Sequence, residues 1–303
     1  MVTVPVTIMY TEKSRITIKD LAKMAGVSKT TISRVINNKP DVSADTRRKV
    51  LELIKENNYQ PNLFATGKTS QRINHIGLIV PYDTRNLLCN QYYVDVLQGI
   101  LDEVERREFY LLFCYVHKKN YVEIYTQKRV EGFILLSPAA LHQSIINELN
   151  QANIPFVSTA KIPNRPEIPY VDVNNYKGAE IAVRYLISLG HKKIAFVGKP
   201  TLTSNYDRLI GYKQVLKENN IKIDNDYIRT VETSSIESGY EMMINLLKLN
   251  DPPTAVFLSC DIMAFGAIKA IQEKGMKIPD DISIIGFDDI LLSCNMSPPL
   301  TTI

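Results

Sequence analysis

From residue 75 onward, short apolar runs alternate with segments of helical periodicity, and this pattern restricts the fold more than any other feature of the sequence. The runs occupy residues 76–80, 110–116, 132–136, 155–159, 193–198, 254–259 and 282–287. Continuous apolar runs are typical of strands covered on both faces, and helices between such runs connect parallel strands. The pattern therefore predicts a doubly wound α/β architecture, and its length favours two lobes that divide near 158–161.

Helical periodicity between the runs predicts the connecting helices. We expect them at 94–107, 142–153, 177–189, 207–219, 238–249 and 262–274, with a shorter one near 121–128. The region 75–303 is then one two-lobed domain, with an N-lobe of about 75–159 and a C-lobe of about 160–303.

The stretch 17–37 predicts two short helices around a tight turn. Thr17 can cap the first helix with Asp20 in the capping-box position, and Gly26 supplies the turn. Ser28 can cap a second helix that runs to residue 37. Its apolar residues face inward, and its outward side carries hydrogen-bond donors. These are Lys29, Thr30, Ser33 and Arg34.

A third helix follows Ser43 and completes a small head over residues 16–60. Its apolar face would pack on the first two helices; the expected contacts join Val50, Leu53 and Ile54 to Leu21, Val27 and Ile36. Residues 1–73 hold 13 Lys and Arg against 6 Asp and Glu, whereas the remainder holds 23 against 26. A basic head on a mildly acidic body indicates a nucleic-acid-binding module, and the second helix suits the major groove.

The residues that carry this head also resemble a known family. The stretch 16–62, ITIKDLAKMAGVSKTTISRVINNKPDVSADTRRKVLELIKENNYQPN, resembles the DNA-binding head of the lactose/galactose repressor family of bacterial transcription factors. KRVEGFILLSP, SLGHKKIAFVG, DRLIGY and SIIGFDD resemble it too, so that the resemblance extends from Thr17 to Ile303. It implies a helix-turn-helix head, a periplasmic-binding-protein-like effector domain, a homodimer, a palindromic operator DNA and a small-molecule effector, with a sugar or sugar phosphate expected and a nucleobase as the alternative.

The resemblance also assigns DNA contacts. It implies base-edge reading by Lys29, Thr30 and Arg34, and a bidentate contact to guanine suits Arg34 best. Arg47 and its basic neighbours form either a solvated face or phosphate contacts, and we expect a phosphate contact from at least one. The full set of expected DNA-binding residues is Thr17, Ser28, Lys29, Thr30, Thr31, Ser33, Arg34, Asn37, Arg47 and Lys68.

Residues 61–74 are expected to form a linker, and the resemblance implies a hinge helix that inserts a leucine into the minor groove. Lys68 stands at the position of that leucine. Either Leu63 or Phe64 takes its role, or Lys68 contacts phosphate. The GKT triplet does not indicate a phosphate-binding loop, because Asn62 stands where that loop needs a glycine.

Ligands of open parallel sheets bind beyond the carboxyl ends of the strands, and polar residues cluster there in this sequence. Carboxylates and a guanidinium in one cleft suit a polyhydroxylated ligand. The resemblance implies that Arg208 and Asp288 contact the effector. It also implies that Ser204 and Ser234 stand at positions whose residue differs between family members with different ligands. The expected effector-binding residues are Tyr82, Asp83, Ser204, Arg208, Ser234, Cys260, Asp261 and Asp288.

The sequence carries no motif of an enzyme. GxSxG, HExxH and GxGxxG are absent, and Asp288 and Asp289 are too close in the chain to share one site. We expect no catalytic residue and no cofactor. The alternatives to a regulator are a cytoplasmic binding protein for a sugar or nucleobase, and a constitutive architectural DNA binder.

The remaining composition bears on location. The four cysteines and four histidines are scattered without metal-ligand or disulfide spacing, which predicts reduced thiols in a cytoplasm and no metal. The sequence contains no apolar run of about 18 residues, so that no membrane span is expected. Residues 1–15 are expected to be a disordered leader. Because relatives usually continue past PPLTTI, we expect a C-terminal truncation at Ile303.

Overall fold

A computed structural model of the chain describes residues 16–57, 59, 73–80, 90–115, 120–136, 141, 143–201 and 203–303. The chain divides into two compact units, residues 1–71 and 72–303. Several predictions lie outside the described residues: the leader, the hinge with Leu63, Phe64 and Lys68, and the effector contacts Tyr82 and Asp83.

The first unit contains three helices, as predicted: α1 (Ile18–Ala25), α2 (Lys29–Ile36) and α3 (Ala44–Glu56). Each begins at its expected capping residue, and Asn37 caps the end of α2. Each helix contributes one fully buried apolar residue to a shared cluster: Leu21, Ile32 and Val50. A domain of this size depends on that single cluster for its stability.

The N-lobe of the second unit is a four-stranded parallel sheet. Its strands are β1 (His75–Val80), β2 (Tyr110–Tyr115), β3 (Gly132–Leu135) and β4 (Phe156–Ser158), in the order β2-β1-β3-β4. The helices are α4 (Gln91–Arg106), α5 (Tyr121–Thr126) and α6 (Gln143–Gln151). One apolar cluster joins the sheet to α4 and another joins it to α5 and α6, so that helices cover both faces.

The C-lobe repeats this arrangement. Its strands are β5 (Ile194–Gly198), β6 (Ile228–Thr230), β7 (Ala255–Leu258) and β8 (Ser283–Ile285), parallel in the order β6-β5-β7-β8. The helices are α7 (Asn175–Ser188), α8 (Thr203–Glu218), α9 (Ile236–Leu247) and α10 (Asp261–Glu273). The strand order reverses between β5 and β7, which creates the crevice where such sheets bind ligands.

Two strands differ from the prediction. The sequence did not predict β6, which has only three residues, one of them apolar. It also predicted that β2 would be covered on both faces, but β2 is an edge strand and leaves Tyr110 68% exposed and Phe113 50% exposed. Among the described residues, no helix is long and apolar enough to cross a membrane, and no cluster of side chains could hold a metal ion.

Candidate functional site

The start of α1 is closed by a capping box. The backbone N–H and hydroxyl of Thr17 donate to one carboxylate oxygen of Asp20, at 2.8 and 2.6 Å, and the Asp20 N–H donates to the Thr17 hydroxyl at 3.4 Å. These hydrogen bonds lower the pKa of Asp20. The polar groups of Thr17, an expected DNA contact, therefore already serve the helix terminus.

Helix α2 presents the expected base readers on an exposed face. Gly26 turns the chain with a φ of 70°, and the hydroxyl of Ser28 accepts from the N–H of Thr31 at 3.1 Å. Because the cap fixes the first turn, the following side chains project in defined directions. Lys29, Thr30 and Arg34 are exposed, whereas Thr31, Ser33 and Asn37 are half-buried.

Several of the expected DNA contacts have partners within the head. The amide of Asn37 donates to the carbonyl of Ser33 at 2.8 Å. The guanidinium of Arg47 donates to the side-chain oxygen of Asn38 at 2.7 Å and to the carbonyl of Lys39. Arg47 is thus positioned to hold the turn that follows α2, in addition to any contact with phosphate.

The C-lobe holds a buried ion pair between α8 and the segment after β8. Nη1 of Arg208 lies 3.3 Å from Oδ1 of Asp288, and the two side chains are 6% and 8% exposed. The Nε–H of Arg208 donates to Asn175 at 2.9 Å, and Nη1 donates to the carbonyl of Ser259. The guanidinium carbon lies 3.5 Å from the centre of the Phe287 ring. Four neighbours therefore fix the plane of this guanidinium.

Asp288 occupies an unusual environment. Burial disfavours its charged form and raises its pKa from 3.8 to about 7, although Arg208 acts in the opposite direction. Asp288 and Asp289 adopt positive φ values of 116° and 48°. Hydrogen bonds from their N–H groups hold this backbone, one to the carbonyl of Ile303 at 2.9 Å and one to the hydroxyl of Thr302 at 3.2 Å.

Asp261 is fully buried, and its carboxylate is occupied by partners inside the lobe. One oxygen accepts from the N–H of Ile290 at 3.1 Å and the hydroxyl of Ser293 at 2.7 Å. The other accepts from the hydroxyl of Thr302 at 2.6 Å. Desolvation raises the pKa of Asp261. The carboxylate of this expected effector contact therefore ties α10 to the segment that follows Asp288.

The other expected effector contacts lie at the first turns of the C-lobe helices. Cys260 precedes α10, and burial, with Asp288 next in effect, raises the pKa of its thiol to about 12, which keeps it protonated. Ser204 lies in the first turn of α8 and is half-buried. Ser234 precedes the cap of α9, and its hydroxyl oxygen is buried without a hydrogen-bond partner among the described residues.

Sequence reasoning missed Tyr92, Asn175 and Phe287. Tyr92 lies in the first turn of α4, yet its ring packs against the C-lobe cluster that contains Cys260. Burial, together with the charges of Asp172 and Asp288, raises the pKa of Tyr92 to about 12. The signal in the sequence was indirect: Tyr92 lies between the apolar run of β1 and the next one, and Phe287 directly precedes Asp288. The site thus joins residues of both lobes.

Comparison with known families gives two matches. The bacterial regulatory proteins, lacI family, match residues 17–62, and the periplasmic binding protein-like domain matches residues 183–303. The probable HTH-type transcriptional repressor ExuR of Bacillus subtilis (strain 168) is 38% identical over 291 residues, which cover 95% of this chain and 86% of the relative. The HTH-type transcriptional repressor PurR of Pasteurella multocida (strain Pm70) is 36% identical over 293 residues, with the same coverage.

Solved structures give similar results. The Lac repressor dimer bound to operator and the anti-inducer ONPF is 30% identical, with a TM-score of 0.78, over 95% of this chain and 87% of that one. The transcriptional regulator CelR in complex with cellobiose is 27% identical, with a TM-score of 0.68 and the same coverage. A LacI-family regulator from Enterococcus faecium with bound ribose is 29% identical, with a TM-score of 0.63, over 75% of this chain and 82% of that one.

Proposed function

This chain belongs to the LacI family of bacterial regulatory proteins, and from that premise we propose that it is a cytoplasmic repressor that binds a palindromic operator as a homodimer. Binding of a small effector either lowers or raises its affinity for that operator. The observation that carries the proposal is the exposed face of α2, where Lys29, Thr30 and Arg34 stand on a helix that is capped and packed from behind. A helix of this kind enters the major groove, and two copies read two half-sites.

In this proposal the head comprises residues 16–60, the hinge 61–74 and the effector domain 75–303. Lys29, Thr30 and Arg34 read bases, and the other DNA contacts bind phosphate or support the helix. The charge distribution supports this division, because the basic excess lies entirely within residues 1–73. The protein acts by binding alone and catalyses no reaction.

We propose that the effector is a sugar bound beside Arg208 and Asp288, with the ring of Tyr92 against it. Three acceptors and an aromatic ring already hold the guanidinium in place, so a ligand meets groups that need no rearrangement. Cellobiose and ribose in two related structures support a sugar. In this proposal Tyr82, Asp83, Ser204, Ser234 and Cys260 also contribute to ligand binding, and Asp261 holds the segment that follows Asp288.

Selection of binding sites from random duplex DNA at physiological salt tests the DNA-binding half. The full chain should select a palindrome, and Arg34→Ala should lose the preference at one base pair in each half-site, by about 1–3 kcal/mol. Random DNA bound as well as any palindrome would favour a ligand-binding protein without operator control. Unchanged selectivity of Arg34→Ala would reject the role of Arg34.

A thermal-shift screen of sugars, sugar phosphates and purines tests the effector half. Hits should be lost in Arg208→Ala and Asp288→Ala and kept in Arg184→Ala, which removes an exposed arginine from an ion pair with Glu218 on the same lobe. A confirmed hit should then change operator affinity. Hits that survive both pocket substitutions would overturn the proposed pocket, and a purine hit would replace the sugar.

A further inference from the structure

The chain folds back on Arg34 directly after α2. The N–H of Lys39 donates to the carbonyl of Arg34 at 2.9 Å, and the N–H of Asn38 donates to the carbonyl of Val35 at 3.0 Å. Asn38 adopts a left-handed φ of 50°. This pair of hydrogen bonds is the Schellman arrangement, which ends a helix and fixes the direction of the residues that follow.

Further contacts keep this turn in place. Arg47 of α3 donates to Asn38 and to the carbonyl of Lys39, as described above, and Val42 packs on the apolar cluster of the head. Asp41 therefore lies between two anchored residues. Its position relative to Arg34 follows from the backbone and from packing, and not from the ion pair alone.

Asp41 approaches one side of the Arg34 guanidinium. Its Oδ2 lies 3.0 Å from Nη1, and both side chains are about half exposed, at 52% and 53%. The contact is an ion pair at Nη1 without an N–H···O hydrogen bond, and Nε and Nη2 have no partner among the residues that the structure describes. Guanine needs two N–H groups, at O6 and N7, so that Asp41 and a guanine can be held together.

We infer that Asp41 is a positioning residue for base reading: it orients the Arg34 guanidinium toward guanine while that contact is made. The inference rests on the proposed role of Arg34 in reading the operator. A guanidinium held in one plane can satisfy the paired acceptors of guanine but adapts less readily to other bases. The carboxylate also repels DNA phosphates, which weakens binding to unrelated sequences and widens the difference between operator and random DNA.

The test is site selection from random duplexes with the full chain and a set of variants. Arg34→Ala first identifies the base pair that Arg34 reads. Asp41→Asn keeps the shape of the side chain and removes its charge. Asp45→Asn is the matched control, because it removes the same charge from the head. Asp45 also forms an exposed ion pair, with Arg48. Thermal unfolding verifies that each head stays folded.

We expect Asp41→Asn to reduce the preference at the Arg34 base pair by about two- to fivefold, the range of an exposed ion pair, while affinity for random DNA rises. Asp41→Glu, which keeps the charge, should restore part of the preference. In the double variant Arg34→Ala, Asp41→Asn the selected site should equal that of Arg34→Ala, because Asp41 affects the choice of base only through Arg34.

Each contrary result is distinct. Equal or sharper selectivity in Asp41→Asn would overturn the inference, as would equal loss in Asp45→Asn, which would indicate a general charge effect. A further loss in the double variant would mean that Asp41 acts independently of Arg34. Absence of any palindrome for the unaltered chain would instead refute the proposed function, which the first arm of the experiment reveals before any variant of Asp41 is compared.

Discussion

A buried arginine–aspartate pair is expensive to maintain, since removing two charges from water costs several kcal/mol for each ion before their attraction is counted. Arg208 and Asp288 offset that cost with hydrogen bonds to Asn175 and the Ser259 carbonyl and with the Phe287 ring. Apolar residues could fill the same volume at lower cost. The pair is therefore better explained by ligand recognition than by stability, which supports the proposed effector site.

We expect the contribution of Asp288 to stability to depend on pH. Its pKa is about 7 in the folded chain and 3.8 as an ordinary carboxyl, so between these values the folded state holds a proton that the unfolded state has released. The contribution of Asp288 to stability is then fully present below about pH 4 and falls as pH rises toward 7, by at most about 1.4 kcal/mol per pH unit. Asp288→Asn removes this titration, and urea unfolding from pH 4 to 8 measures the difference between the two proteins.

Asp289→Asn is the control for this experiment, because it changes the same charge at the exposed neighbouring position. Its unfolding free energy should keep the fall that Asp288 causes between pH 4 and 7, because Asp288 is still present. The prediction fails if the free energies of unfolding of the unaltered chain and of Asp288→Asn change in parallel with pH, since an ordinary carboxyl would titrate below pH 5.

For single residues, the sequence predicted the charged side chains of the site but not the residues that contact them and fix their positions. Arg208 and Asp288 stand in recognisable motifs, and they do lie together in the structure. Tyr92 was not predictable, because its contact with the C-lobe joins residues that are distant in the chain. Asp261 shows the converse: a carboxylate after a strand suggests a ligand contact, but only the fold reveals that its partners are Ile290, Ser293 and Thr302.

At the scale of elements, the C-lobe depends on a close approach of α9 and α10. A Cβ added to Gly266 would overlap the carbonyl oxygen of Ile236, and one added to Gly239 would overlap that of Met263. The two helices therefore touch through their backbones at these glycines. No side-chain rotation could relieve such a contact, so that a larger residue must separate the helices.

Gly266→Ala should lower the free energy of unfolding by about 3 kcal/mol, at the upper end of overpacking effects. Gly99→Ala is a matched control, because Gly99 lies in α4 with no atom within 4 Å of its added Cβ. There the substitution should stabilise by about 0.5–1 kcal/mol, since alanine favours helix more than glycine does. Chemical denaturation of both variants checks the pair. Equal effects at the two positions would contradict the close-packing argument.

Elements were predictable where the local pattern and the tertiary environment agree. The apolar runs at 132–136 and 254–259 became central strands β3 and β7, as expected. The run at 110–116 is also continuous and apolar, yet β2 lies at the edge, because the order of strands in a sheet is not encoded in any one run. β6 escaped detection since three residues are too few to establish a period.

For the whole molecule, the exposed N-lobe edge is a candidate for the interface of the proposed homodimer. β2 leaves Tyr110, Leu112 and Phe113 exposed, and the outer side of the adjacent helix α4 leaves Val94 and Leu101 exposed. An open edge strand with apolar side chains invites association unless another chain covers it. A palindrome has two-fold symmetry, and a two-fold dimer that pairs this edge with itself would supply one head for each half-site.

Phe113→Asp should accordingly convert the protein to a monomer, because it places a charge in the middle of that apolar edge. Sedimentation velocity measures the change, and affinity for the full palindrome should fall by about a hundredfold or more as the second head ceases to bind in the same event. Affinity for an isolated half-site should stay the same.

Ile181→Asp is the control: Ile181 is 51% exposed against 50% for Phe113, but it lies on α7 of the C-lobe, so its variant should remain dimeric. A dimeric Phe113→Asp would exclude this edge, and a monomer that still binds the palindrome at full strength would show that one head is sufficient.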